Sequence, residues 1–180
     1  MKENDLLIGF HPLMEAIKSG KEIQKVFIQK GLTADRMPDL KQELNKHEIP
    51  MFIVPREKLE RISRKNHQGI IAFTSPIEFQ NLENLLFSLF EEGKNPSFLM
   101  LDGITDVRNF GAIVRSAECM GVHAVIIPVK GMAPINADAV KSSSGALLRV
   151  PICRSTHLDK TLSFLRNSGI KVVGCTEKST

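Results

Sequence analysis

The sequence has neither tryptophan nor tyrosine among its 180 residues, and ten phenylalanines are its whole aromatic complement. Base stacking on Trp or Tyr platforms is therefore not an obvious recognition mode. Only three cysteines occur, Cys119, Cys153 and Cys175, far apart and without CxxC or Cys/His ligand spacing. That odd, scattered set suggests no disulfide framework and no metal site, and reads as small buried apolar side chains. No apolar run approaches the roughly 20 residues that span a bilayer. The amino terminus, MKENDLLIGF, is too polar for a signal peptide. A cytoplasmic location, with no membrane partner, is the expectation. No GxGxxG follows any strand-like run, so the glycine-rich nucleotide loop of Rossmann folds is missing as well.

What is present is ordinary for a globular chain: 42% hydrophobic and 24% charged residues, with a net charge of +4. The excess is uneven, +3 over residues 1–75 and +1 over 76–180. Such a balance is compatible with a polyanionic partner without demanding one. Five cations, Arg56, Lys58, Arg61, Arg64 and Lys65, crowd one short stretch against Glu57 and Glu60. A solvated helix face explains that run about as well as a phosphate contact does.

The patterning divides the chain in three. Residues 1–75 alternate helix and strand signals: a helix in HPLMEAIKSG, a strand in KVFIQ, a helix over 34–47, and a strand in IPMFIVP. A third helix in EKLERISR and a closing strand in GIIAFTS complete a compact α/β unit. Residues 76–95 read as a linker entering a helix that packs on the next domain. From 96 to 180, SFLMLDGI and VHAVIIP are near-continuous apolar runs, the mark of parallel strands covered on both faces. Helices in NFGAIVRSAECMG, INADAVKSS and STHLDKTLSFLRNSG alternate with strands in LLRVPIC and IKVVGC. The expected architecture is α/β with right-handed βαβ units.

In open α/β sheets ligands gather at the carboxyl ends of strands. The loop after the first strand of this second part presents Asp102, Thr105, Asp106, Arg108 and Asn109, with Asn109 a candidate helix cap. On the following helix, Phe110, Ile113, Val114, Ala117 and Met120 should face the sheet. Gly111, Arg115 and Glu118 fall on another face, where Gly111 would let a ligand approach. Arg115 and Glu118 are i,i+3 neighbours that can pair, giving a pre-oriented donor fork suited to phosphate. An ordinary surface ion pair is the other reading of that spacing. Ser142, Ser143, Ser144 and Gly145 could offer backbone N–H groups to a phosphate, beside Lys141, although a helix-terminal turn is the simpler reading. His67 reads as a turn or capping residue. His11, like His67, belongs to a motif-like string of the first domain, whereas His47, His123 and His157 have no partner spacing and no role.

The string LDGITDVRNFGAIVRSAECMGVHAVIIP resembles the first signature motif of the SpoU/TrmH family of RNA ribose methyltransferases, with Asn109, Arg115 and Glu118 in the motif positions. KSSSGALLRVP is similar to the family's run between its early strands. IGFHPLMEAIKSG and NHQGIIAF resemble the amino-terminal RNA-binding domain of the RlmB-like branch. Nearly the whole chain is covered. The resemblance implies a small RNA-binding α/β domain over 1–75 and the amino-terminal part of a parallel-sheet, trefoil-knot methyltransferase domain over 96–180. It implies S-adenosylmethionine as methyl donor, a ribose 2′-hydroxyl of RNA (ribosomal RNA above all) as acceptor, and a homodimer. Asn109, Arg115 and Glu118 would be catalytic, and Arg108, Lys141, Arg61, Arg64 and Lys65 would bind RNA. The family's second and third motifs lie beyond IKVVGC, so the main donor site is expected beyond Thr180. The knot-forming end is then expected to be missing, with only Thr176 left for the donor, apolar sheet surface uncovered, and the chain by itself inactive. A non-catalytic RNA-binding protein is the alternative.

Overall fold

The computed structural model describes residues 6–32 and 37–175. It divides into two compact units, one of residues 1–78 with 135–140 and one of 79–134 with 141–180.

In the first unit the elements run β1 (Leu6–Ile8), α1 (Phe10–Lys18), β2 (Ile23–Gln29), α2 (Met37–Lys46), β3 (Met51–Val54), α3 (Arg56–Ile62) and β4 (Ile70–Thr74). They form one mixed sheet in the order β1-β4-β2-β3, with β2 parallel to β3 and antiparallel to β4. Its two faces carry separate cores. Leu13 and Ile17 of α1 and Leu40 and Leu44 of α2 bury Val26, Ile28, Ile70 and Ala72. On the opposite face Leu59 of α3 packs on Phe27, Ile71 and Phe73. Strand β2 changes register between Ile23 and Lys25. That irregularity turns Ile23 to the α1/α2 core, against strict alternation, while Lys25 keeps the α3 face with Phe27 two residues further on. Strand β1 was not legible in the sequence; three half-buried residues on an edge carry too little alternation to announce a strand.

The second unit contains β5 (Phe79–Gln80), α4 (Leu82–Glu91), β6 (Phe98–Met100), α5 (Val107–Cys119), β7 (Ala124–Pro128), the end of α6 (Ala137–Ser142), a 3₁₀ turn (Ala146–Leu148), β8 (Ile152–Ser155) and α7 (Leu158–Asn167). All four strands are parallel, in the order β5-β8-β7-β6. The chain therefore enters at one edge, crosses to the other, and steps back inward. With right-handed crossovers, that reversal must place α4 and α5 on opposite faces. The cores agree. Leu82, Leu85 and Leu86 of α4 and Leu165 of α7 join Ala124, Ile126 and Cys153, and no residue of α5 belongs to that group. The other face of β7 presents Val125 and Ile127, and α5 contributes Phe110, Val114 and Ala117, each at most 2% exposed.

Four sequence expectations need correction here. The stretch 76–95 contains a strand, β5, paired with β8, whereas α4 packs in the second core as expected. LLRVPIC is not one strand: Gly145 at φ +81° turns the chain into the 3₁₀ turn, and pairing resumes only at Ile152. IKVVGC forms no strand. Apolar residues make a strand only where a neighbour completes the ladder, and residues 171–175 are largely exposed, Val173 at 80%. Helix α5 is capped by Asp106, whose carboxylate accepts the Asn109 N–H at 2.8 Å, so Asn109 sits inside the first turn. At the edges of the sheet Phe98–Met100 of β6 and Phe79 of β5 are half-buried, whereas the central strands are mostly buried.

Candidate functional site

Helix α5 and the segment that crosses it, Ser142–Arg149, hold the residues singled out by sequence. The crossing is fixed at two points. At the first, Gly111 is buried against Ser142: a Cβ at Gly111 would lie 2.1 Å from Ser142 Oγ and 2.8 Å from its carbonyl carbon. The expected close approach at Gly111 is thus made by the chain's own backbone, not by a ligand. Ser142 Oγ donates to the Val107 carbonyl at 3.2 Å, tying the segment to the first turn of α5.

At the second point, the Glu118 carboxylate takes two hydrogen bonds from the Arg149 guanidinium, from Nε to Oε1 and from Nη2 to Oε2, the latter at 2.9 Å. This bidentate fork holds Glu118 below the usual carboxylate range and raises Arg149, in each case chiefly through the hydrogen bonds to the partner. Between the two anchors the backbone is shaped by Ser143. Its side chain is fully buried, and its hydroxyl accepts the Leu147 N–H at 3.1 Å. The backbone at Gly145 favours glycine. It has φ +81°, and a Cβ there would come within 3.3 Å of Arg149 Nη1.

Glu118 therefore does not hold Arg115. Arg115 is exposed and makes no hydrogen bond or ion pair among the described residues. The physical reason is partly directional, because an acid placed after its cation on a helix pairs less well than one placed before it. The fork from Arg149 is also bidentate. Arg149 was missed in the sequence, although it lies within KSSSGALLRVP. A cation two residues before a buried strand signals nothing until the turn that precedes it is known.

The three motif positions do not converge on one point. Along α5, Asn109 lies about 9 Å from Arg115 and about 13.5 Å from Glu118, and Asn109 and Glu118 fall about 180° apart around the axis. Asn109 and Arg108 are exposed at the carboxyl end of β6. Glu118 and Arg149 sit beside the amino ends of β7 and β8, where Arg149 precedes Ile152 by three residues. Met120, expected to face the sheet, is 82% exposed because the helix ends at Cys119. Lys141 is exposed. Thr176 lies outside the described residues, and so does the donor site expected beyond Thr180. Cys153 is buried, with its thiol pushed up to about 11 by burial, whereas Cys119 and Cys175 are exposed, contrary to the expectation for all three.

In the first unit Arg61, Arg64 and Lys65 are exposed around the end of α3. Arg61 and Arg64 line an open groove of about 520 Å³ together with Glu57 and Glu60. Arg56 is tied to Glu60 at 2.8 Å. His67 is a turn builder: its Nδ1 accepts the Gly69 N–H at 3.0 Å and its carbonyl accepts the Ile70 N–H at 2.8 Å. Among the described residues no cluster of His, Cys, Asp and Glu could hold a metal ion, and no helix is long and apolar enough to cross a membrane.

Two family profiles match the chain. Residues 6–80 match an RNA 2′-O ribose methyltransferase substrate-binding domain, and residues 96–180 match the SpoU rRNA methylase family. A protein of Staphylococcus epidermidis, named as a candidate TrmH family tRNA/rRNA methyltransferase, is 33% identical over 172 residues, covering 96% of this chain and 69% of its own length.

The chain belongs to the SpoU/TrmH family of RNA methyltransferases.

A second family member, the Bacillus subtilis protein YacO, is 30% identical over 96% of the chain and 70% of its own length. Solved structures similar to this SpoU/TrmH chain include the AdoMet-bound rRNA methyltransferase of Sinorhizobium meliloti, 17% identical with a TM-score of 0.39, and the SpoU methyltransferase AviRb of Streptomyces viridochromogenes with AdoMet, 17% identical with a TM-score of 0.42. This family member matches over 89% and 91% of its own length in those two likenesses, and spans 57% and 58% of the solved chains.

Proposed function

We propose that the protein methylates a ribose 2′-hydroxyl of RNA, with ribosomal RNA as substrate and S-adenosylmethionine as methyl donor, and that it works as a homodimer. The observation that carries this reading is the state of Arg115: an exposed guanidinium, with no carboxylate partner among the described residues, on a helix whose motif matches the family. A 2′-hydroxyl is a poor nucleophile, so its proton must leave as the carbon–oxygen bond forms. A guanidinium almost never gives up its own proton. Arg115 acts instead as a fixed cation that binds an RNA phosphate and stabilises the developing alkoxide. Arg108, Asn109 and Lys141 add contacts to the RNA sugar–phosphate, and Glu118 contributes by fixing Arg149. Arg61, Arg64 and Lys65 grip RNA from the first unit.

The methyl donor supplies an electrophilic methyl group. Among the described residues, 171–175 lie exposed and off the sheet and do not by themselves form a donor pocket. The second reading is a non-catalytic RNA-binding protein. Transfer of tritium from methyl-labelled S-adenosylmethionine to ribosomal RNA, with the product mapped by resistance to alkaline cleavage, decides between them. Label at one alkali-resistant linkage supports methylation. RNA binding without transfer or donor binding by the product of the complete gene supports the alternative.

A further inference from the structure

On the α3 face of the first sheet, two lysines converge on one aromatic surface. Lys25 Nζ lies 5.5 Å from the centre of the Phe27 ring and 5.0 Å from that of Phe73, and Lys58 Nζ lies 4.9 Å from Phe27. Phe27 in turn meets Phe52 and Phe73 edge-on, at 5.8 and 5.2 Å between ring centres. Lys25 stands directly opposite Phe73 on the antiparallel pair β2–β4, a position where the sheet face otherwise carries apolar residues. It is half-buried there.

The arrangement is costly. Burial lowers the Lys25 ammonium below its ordinary range, and the Lys58 charge lowers it further. Neither ammonium forms an ion pair or hydrogen bond among the described residues. The ring faces attract each cation but do not offset the repulsion between the two. An anion placed between the ammoniums would offset that repulsion. Lys25 lies two residues before Phe27 on β2, so strand alternation places both on this face, and the register change at Ile23/Lys25 turns only Ile23 away from it.

We propose that Lys25 and Lys58, converging over Phe27 and Phe73, form a binding site for a phosphate of the RNA backbone. The proposal rests on the RNA-binding role given to the first unit, and it adds a site distinct from Arg61, Arg64 and Lys65. A compact, strongly hydrated ammonium pair suits a single phosphodiester rather than a planar carboxylate fork.

The test uses the whole chain with Lys25→Met, Lys58→Met and the double substitution. Methionine fills an irregular apolar gap well, so folding should survive and the unfolding midpoint should hold or rise. Binding of a fluorescein-labelled ribosomal RNA hairpin is followed by anisotropy at several salt concentrations. The double variant should bind about 10-fold more weakly, and its log–log salt slope should flatten by about 1 to 2, roughly one unit for each phosphate no longer neutralised. Lys41→Met on α2 should leave the slope unchanged. In parallel, inorganic phosphate added to protein with labelled lysine side chains should raise the titration midpoint of Lys25. RNA binding with an unchanged slope in the double variant overturns the site. If the unsubstituted chain binds no RNA but phosphate still shifts Lys25, the anion site stands and the RNA role of the unit falls. If neither responds, both fall.

Discussion

Glu118, nine residues along α5 from Asn109, reaches across to Arg149 and forms a two-bond fork with it, leaving Arg115, one turn back on the same face, without a carboxylate among the described residues. Two anchors, Gly111 on Ser142 and Glu118 on Arg149, stretch the Ser142–Arg149 segment along two turns of α5. The site is therefore not a single triad. It is a clamped segment with an unclaimed guanidinium, that of Arg115, between its fixed ends.

Breaking the second anchor should loosen the segment and not the fold. With Glu118→Gln, the amides of Leu148, Arg149 and Val150, which now bond to Gly145 and Ala146 carbonyls, should exchange with deuterium faster, while those of β7 stay protected. The charge-swapped double variant Glu118→Arg, Arg149→Glu should recover much of the protection. No change in exchange on Glu118→Gln would mean the fork holds nothing in place.

Acid should act in the same direction. The Glu118 pKa is depressed by its partner, so the contribution of the fork is complete above about pH 5, where the unfolded carboxylate is already charged. It fades as pH falls through the lowered folded value. Exchange at Leu148–Val150 should accelerate more in that acid range in the native chain than in Glu118→Gln, once intrinsic rates are divided out. An identical pH response in both would remove Glu118 as the titrating group.

Gly111→Ala tests the first anchor with two opposed effects. Alanine favours a helix interior by about 1 kcal/mol over glycine. The added methyl, however, meets the Ser142 backbone at 2.8 Å and its hydroxyl at 2.1 Å, which the segment can escape only by moving. Overpacking of this kind costs about 1–3 kcal/mol and should win. A lower unfolding midpoint is the expected outcome, and Ser142→Gly should restore only part of it, because the carbonyl carbon remains. A raised midpoint in Gly111→Ala would show that the two elements do not approach so closely.

The thiols should divide by exposure. At pH 8 a thiol-disulfide reagent should titrate Cys119 and Cys175 in the native chain, and Cys153 only after denaturation, since burial both shields it and holds its pKa near 11. Rapid reaction of all three would place β8 at the surface.

Arg115→Ala should lower methyl transfer by about 100-fold or more, the scale of losing a charge aimed at a developing oxyanion, without lowering the unfolding midpoint. Arg115→Lys should restore little, since one ammonium cannot reproduce the fork. Turnover near that of the native protein in Arg115→Ala would take this residue out of the reaction.

Much of this was legible in the residues, for identifiable reasons. The parallel sheet could be read because β7 is a continuous apolar run that buries four of its five residues. Helix α5 could be read because Phe110, Val114 and Ala117 recur at helical spacing. What escaped were features decided by a distant partner. Asp106 displaced Asn109 as cap through a single hydrogen bond. Arg149, 31 residues away, claimed Glu118. Ile23 left the face that Lys25 and Phe27 share because β2 shifts register. Spacing along one helix states which side chains can meet. It does not state which meeting wins.

The central claim, that Glu118 belongs to Arg149 and leaves Arg115 free, is tested most directly by the arginine side-chain Nε–Hε signals in a nitrogen–proton NMR spectrum. The Arg149 signal should be protected from exchange and should move to the position of a solvated guanidinium in Glu118→Gln, while the Arg115 signal stays where it is. Movement of the Arg115 signal with Arg149 unaffected would contradict it.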